Sequence, residues 1–297
     1  NATGSRINDA REANYNYSKS TVNYRFNDQG QLEGATGLTV GGANNGKTLT
    51  VERNTDGTIV GDTNKDGVRQ AGEDWRFVES NQGSDSETLN TYAVIQGQAV
   101  VIKSDSKNFS TDDAGKRISD PNAHGYSLSR TTVQYHYNGN AQLETASGWT
   151  MGVSNVKVLA DSRQGTTNAS DWVNQRTESL TMNTYAVVKG QAAVMKSATQ
   201  TWAADSTGRR ISDMGTHGYN RSVTTVYNRY NALGQLVGAV GSSVTRSNIE
   251  VLSQNNGIDQ WVDQMTESAT TNTYAIVMGQ AVVLKSITTS DAMDPQT

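Results

Sequence analysis

The sequence predicts an all-β fold, built from three tandem units of antiparallel β-hairpins in an elongated array that can form filaments. Three observations predict it. Hydrophobic residues make up 34% of the 297-residue chain and charged residues 18%, and most other polar residues are Thr, Ser, Asn and Gln, which suit strand faces and turns. Similar segments recur along the chain. No segment combines helical periodicity with capping residues, so we expect little helix.

The first recurring segment has the form Gly-x-Arg-Ile-x-Asp or a close variant of it. It begins at Gly4, Gly115 and Gly208, and the last two lie 93 residues apart. It predicts three units: residues 1–110, with an insertion at about 57–75, then residues 111–203 and residues 204–297. A second copy of the chain placed after Thr297 would continue the 93-residue spacing. We therefore expect the third unit to be completed by the start of the next copy.

This continuation predicts that copies of the chain meet head to tail. The copies are either consecutive parts of one giant covalent array or separate subunits of a non-covalent filament. We expect residues 286–297 to be the donor and residues 1–9 the acceptor. The candidate assembly residues are Asn1, Gly4, Arg6, Ile7, Asp9, Ile287, Asp291 and Pro295.

Two other recurring segments predict the hairpins of each unit. In residues 132–137 apolar and aromatic side chains alternate with polar ones, as in a strand with one buried face. Asn138 and Gly139 then provide a turn, since both residue types tolerate positive φ. In the other segment, residues 185–188 and 192–195 are short β-branched runs on either side of a turn at Gly190.

The hairpin Tyr230-Asn231-Ala232-Leu233-Gly234-Gln235-Leu236 resembles the YD repeat of Rhs-type bacterial surface proteins, and residues 26–32 match it with Phe in place of Tyr. Asn stands where YD repeats have Asp, and these hairpins recur only about every 93 residues. Together with the recurring Asn-Thr-Tyr-Ala segment, the chain is also similar to tandem units of very large bacterial surface proteins. The resemblance implies a large secreted β-rich repeat protein, without implying a closed shell or a toxin. Together with the head-to-tail continuation, it leads us to expect an extracellular or cell-surface structural protein that forms a fibre, sheath or stalk.

The strongest motif predicts a calcium site within the insertion. Residues 62–73 have the spacing of a twelve-residue calcium loop, with Gly67 at the sharp bend. The candidate ligands are Asp62, Asn64, Asp66, Val68 through its carbonyl, Gln70 and Glu73. The context is similar to EF-hand or dockerin-type loops inserted in bacterial adhesins, which implies a structural Ca²⁺. The simpler explanation is a surface turn that binds nothing.

A carbohydrate-binding adhesin is the alternative function. Trp75, Trp172 and Trp261 occupy equivalent positions, and exposed tryptophans could stack on sugar rings. Packing of one large ring in each unit explains the same recurrence.

An internal isopeptide crosslink is a further alternative. Lys103 ends one predicted strand and Asn90 begins its partner, and the pair recurs as Lys196 with Asn183 and as Lys285 with Asn272. Some surface adhesins join Lys to Asn in this way. Ordinary alternation of polar residues on a two-stranded ribbon gives the same sequence, and we favour it.

Composition excludes several other classes. A net charge of −4 offers no basic surface for nucleic acid. The sequence contains no run of 18 apolar residues, so it predicts no membrane span. The absence of cysteine excludes disulfides and thiolate chemistry. We find no nucleophile elbow or phosphate-binding glycine loop and expect no enzyme, although a glycosidase would need only two suitably placed carboxylates.

Overall fold

The computed structural model describes residues 15–51, 77–159, 172–205, 207–216, 218–255, 258–277 and 280–293. All regular structure in these ranges is β: twelve strands form one sheet, and their order in the sheet is their order in the chain. Each strand runs antiparallel to the next. The predicted all-β, antiparallel fold is therefore confirmed.

The strands are β1 (Tyr15–Phe26), β2 (Leu32–Val51), β3 (Phe77–Ile95), β4 (Gln98–Thr111), β5 (Tyr126–Tyr137), β6 (Leu143–Leu159), β7 (Trp172–Val188), β8 (Gln191–Ala204), β9 (Asn220–Tyr230), β10 (Leu236–Asn255), β11 (Ile258–Val277) and β12 (Gln280–Met293).

Two-residue turns join β3 to β4 and β7 to β8, as the hairpin prediction requires. Both central residues of each turn have positive φ: Gln96 and Gly97 at 51° and 75°, and Lys189 and Gly190 at 51° and 75°. This is the left-handed pair of conformations of a type I′ turn, whose twist matches that of the flanking strands.

The turns of the YD-like hairpins are organised by an asparagine side chain. Asn138 Oδ1 accepts hydrogen bonds from the backbone N–H groups of Asn140 (2.9 Å) and Gln142 (3.0 Å). Asn27 and Asn231 do the same in their own turns. An amide oxygen can accept these bonds as a carboxylate oxygen would.

Seven rows of paired residues run across all twelve strands, and we call them the central band. On β1 they begin at residues 17 to 23. On β12 they end at residues 285 to 291. Because successive side chains of a strand point to opposite faces, the rows that begin at Tyr17, Lys19, Thr21 and Asn23 lie on one face, here face A. The rows that begin at Ser18, Ser20 and Val22 lie on the other, face B.

The sheet encloses little apolar core among the described residues. Twenty-three large apolar side chains there are exposed. Six apolar side chains are buried: Ala35, Tyr126, Ala146, Ala204, Tyr219 and Ala239. A single layer cannot bury both of its faces, so the fold depends mainly on main-chain hydrogen bonds and cross-strand side-chain pairs.

The predicted unit boundaries fall at the ends of β4 and β8. The sheet continues from β4 to β5 and from β8 to β9 without a break. The structure is therefore one sheet, and the division into three units stays a prediction.

A tyrosine lies over a glycine at three corresponding places on face B. A Cβ atom added to Gly148 would lie 3.1 Å from Tyr185 Oη and 3.1 Å from the carbonyl oxygen of Thr132. Gly37 has the same relation to Tyr92, and Gly241 to Tyr274. The ring covers backbone that glycine leaves bare, a known way of compensating for glycine in a strand.

We predict that Gly148→Ala lowers the free energy of unfolding by about 1–3 kcal/mol, because the added methyl group must displace the tyrosine ring or the neighbouring strand. The measurement is urea unfolding followed by circular dichroism. Gly139→Ala is the matched control, since no atom lies within 4 Å of its added Cβ. Equal stability of the two variants would contradict the close contact.

Candidate assembly edges

Two internal junctions show how one hairpin pair joins the next. β4 pairs with β5 from Lys103 opposite Gln134 to Phe109 opposite Leu128, which is seven residue pairs. β8 pairs with β9 over seven corresponding residue pairs. The same register thus joins the strands at both places. The seven residue pairs of each junction set the number of rows in the central band.

Polar side chains reinforce the first junction. Thr132 Oγ1 donates a hydrogen bond of 2.7 Å to Asp105 Oδ1, across the strands. Lys103 Nζ lies 2.8 Å from Asp105 Oδ2. The hydrogen bond from Lys103 is the main reason that the pKa of Asp105 falls below its ordinary value. The carboxylate therefore stays ionised and holds both partners.

An arginine from each connecting loop binds, on face A, the hairpin that precedes the loop. Arg210 Nε donates to Glu178 Oε2 at 2.6 Å, and its Cζ lies 4.0 Å from the ring centroid of Trp202. Arg117 contacts Asp85 and Phe109 in the same way, at 2.5 Å and 4.2 Å. A guanidinium can bind a carboxylate and stack on an aromatic ring together. This is the role of the arginine in the Gly-x-Arg-Ile-x-Asp segment.

Two buried asparagines fix the far ends of the same loops. Asn155 Nδ2 donates to the carbonyl oxygen of Ala123, and Asn248 Nδ2 to that of Met214, both at 3.1 Å. Their side chains are fully buried, and so is that of Asn44 on β2. The sequence analysis missed these residues. The sequence does contain a signal for them, because Asn248 follows Asn155 at the 93-residue spacing of the other recurring segments.

An aspartate side chain organises the turn at the start of each connecting loop. Asp205 Oδ1 accepts hydrogen bonds from the hydroxyl (2.7 Å) and N–H (2.9 Å) of Thr207 and from the N–H of Arg209 (2.9 Å). The bond from the Thr207 hydroxyl is the largest cause of the lowered pKa of Asp205. Asp112 accepts the same two backbone bonds in the other loop.

Among the strands that the structure describes, the outer strands β1 and β12 each pair with one other strand. In the repeated segments, residues 17–23 of β1 correspond to the β5 and β9 residues of the junctions. Residues 285–291 of β12 correspond to the β4 and β8 residues. Every β1 side chain after Tyr15 and every β12 side chain before Met293 is exposed. β1 therefore carries the residues of one side of a junction, and β12 carries the residues of the other side.

The structure places two of the predicted assembly residues on this edge. Ile287 lies on β12 in a face A row and is 52% exposed, and Asp291 lies on β12 opposite Glu267. The others lie outside the described residues: Asn1, Gly4, Arg6, Ile7, Asp9 and Pro295.

The predicted calcium loop, residues 62–73, also lies outside the described ranges, as does Trp75. In the parts that are described, no group of three or more His, Asp or Glu could hold a metal ion. The main chain of Trp172 lies in β7 opposite Leu159, and that of Trp261 in β11 opposite Leu252. The glycan-binding alternative therefore stays a prediction.

The isopeptide alternative is wrong for the recurring Lys and Asn residues. Lys103 pairs with Thr91 on face A, whereas Asn90 pairs with Ser104 on face B. The sheet separates the two side chains. The corresponding residues of β7 with β8 and of β11 with β12 have the same arrangement.

Within the described ranges, no helix has the length and apolar character needed to cross a membrane. Comparison with known proteins finds no family model that matches the chain and no curated protein that matches it.

We predict that Asp205→Ala speeds hydrogen exchange at the amides of Thr207 and Arg209 several-fold, because both lose their acceptor, while Asp205→Asn keeps it, as Asn138 does in its turn. Because the pKa of Asp205 is lowered, the turn's contribution to stability is present above the ordinary value of 3.8 and is lost as pH falls through the lower folded value. Unchanged exchange in Asp205→Ala would contradict this role. Exchange read by mass spectrometry tests both statements.

Proposed function

We propose that the protein is a structural building block of an extracellular or cell-surface fibre, in which β12 of one copy pairs with β1 of the next. The single observation that carries this proposal is the repeated junction register. β4–β5 and β8–β9 join in one way, and the outer strands present the corresponding residues on edges that no other described strand pairs with. Unpaired strand edges are templates for pairing with another chain.

The internal junctions give the expected register between copies. Ser106 lies opposite Thr131 in one junction, and Thr199 lies opposite Thr224 in the other. The corresponding outer residues are Thr288 and Ser20. Pairing them would place Ile287 opposite Thr21 and Asp291 opposite Tyr17 of the next copy.

Charge disfavours the meeting of two copies through their β1 edges. β1 carries Lys19 and Arg25 and has no acidic residue. Two β1 strands would therefore bring like charges together, which destabilises cross-strand pairs. β12 carries one positive and one negative residue, Lys285 and Asp291, so pairing it with β1 avoids an all-positive interface.

Calcium belongs to this proposal as a structural ion. Its support is the ligand pattern of residues 62–73, which matches the calcium loop at each diagnostic position. An ion that binds the folded chain and not the unfolded chain would stabilise the fold by mass action.

Cysteine crosslinking tests the head-to-tail register, because the natural chain has no cysteine. Ser20→Cys and Thr288→Cys are made as separate proteins. We expect oxidation of their mixture to give disulfide-linked dimers containing one of each, because directly opposed Cβ atoms lie about 4.5–5.5 Å apart, close to disulfide reach. Neither variant alone should crosslink. Denaturing electrophoresis and mass spectrometry read the products.

Asp291→Cys is the control for Thr288→Cys, since it lies three residues away and on the other face. Crosslinking of Ser20→Cys alone would show that β1 edges pair with each other. Preferred crosslinking to Ser286→Cys or Ser290→Cys would show a shifted register. No crosslink in any mixture, with only monomers in sedimentation, would contradict the proposed function.

We predict that the chain binds one Ca²⁺ and that Glu73→Gln weakens binding at least 10-fold, because the loop loses its bidentate carboxylate. Titration calorimetry measures both values. Glu33→Gln removes the same charge outside the loop and should bind calcium as the natural chain does. Absence of binding at millimolar calcium would show that the loop is only a surface turn.

A further inference from the structure

Face B carries no charged residue in the central band. Its three rows contain 36 positions, of which 24 are Ser or Thr and the rest are Gly, Asn or Val. The four rows of face A contain 48 positions, and 14 of these are Asp, Glu, Lys or Arg. The sheet therefore has one charged face and one uncharged hydroxyl face.

The middle row of face B is Ser or Thr on all twelve strands. Its residues are Ser20, Thr39, Thr88, Ser106, Thr131, Thr150, Thr181, Thr199, Thr224, Ser243, Thr270 and Thr288. In each of the six strand pairs β1–β2, β3–β4, β5–β6, β7–β8, β9–β10 and β11–β12, a hydrogen bond of 2.8–2.9 Å joins the two hydroxyls. Every hydroxyl in the row thus has a partner within the sheet.

This division of charge indicates which face can be buried. Roughly a quarter to a third of a water-exposed surface is normally charged, and face B departs from this over its whole width. Burying the other face would remove fourteen charges from water, which is unfavourable for each charge that is not well paired. Face B has no such cost, and its satisfied hydroxyls lower the cost of burying polar groups.

We propose that face B packs against face B of a second copy, so that two sheets stack around a two-fold axis with their charged faces outward. Twelve strands about 4.8 Å apart and three rows about 6.7 Å apart cover about 1,100 Å² on each copy. Two copies would bury about 2,200 Å² in total, which is larger than a standard stable interface.

The hydroxyl pairs of face B can bond to a second sheet. A hydroxyl pair uses one of its two O–H donors. The second O–H can donate across the interface, which gives the contact a polar register.

This stacking is independent of edge pairing. Edge pairing extends a sheet from copy to copy in its own plane, and stacking adds a second layer above it. Together they would give a ribbon two sheets thick, and either one alone would give a different particle.

The test places a charge on each face of the same strand. Thr150→Lys charges the middle row of face B, and Met151→Lys charges face A at a neighbouring residue that is 45% exposed. Thr150→Val removes the hydrogen bond with Thr131 without adding charge. Stacked sheets lie about 10 Å apart, so atomic force microscopy should show natural-chain particles about 20 Å high. We expect Thr150→Lys to reduce the height to about 10 Å and both other variants to keep it.

Circular dichroism and urea unfolding check that each variant keeps its sheet. Short particles two layers high would show that edge pairing fails while stacking holds, and long ribbons one layer high would show the reverse. A natural chain one layer high overturns the proposal. A loss of height in Met151→Lys but not in Thr150→Lys also overturns it, because face A would then be the buried face.

Discussion

The register of the main-chain ladder is the constraint on which the rest of the structure depends. A two-layer domain can tolerate local slippage because its core holds the layers together, but this sheet encloses few buried side chains among its described residues. Its order comes from hydrogen-bonded neighbours that repeat the same alignment. Both internal junctions keep that alignment over seven residue pairs. A slip of one residue would exchange the two faces, so the separation of charges from hydroxyls requires the register to hold on every strand.

The junctions show how the chain specifies this alignment without a core. Main-chain pairing alone has no strong preference among registers that differ by two residues. Side chains provide the preference: Arg210 reaches Glu178 of β7 and Trp202 of β8 together in one alignment of that hairpin. The buried Asn155 and Asn248 each bind one carbonyl of the loop that leads into β5 or β9. These contacts lie at the ends of the shortest pairings, where slippage would otherwise be easiest.

Much of this fold could be predicted from the sequence, because hairpins are local. Alternation in residues 132–137 and the turn at Gly190 identified strands and turns correctly, since each depends on residues close together in the chain. The pairing of β4 with β5 could not be predicted, because a 14-residue loop separates them and the buried asparagine that fixes it resembles any polar turn residue. The charge-free face was equally hidden. It appears only when twelve strands are aligned, and the alignment is a property of the sheet.

The order of strands also determines how such a protein can fold and change. Each strand touches mainly the strands beside it in the chain, so each pairing has to close only the connection between two consecutive strands. Order can then spread outward from any hairpin, one strand at a time. A duplicated or lost pair of strands would lengthen or shorten the ribbon and leave every remaining neighbour in place. Growth by gene duplication therefore requires no redesign of a shared interior, which makes the length of the sheet free to vary while its width stays fixed.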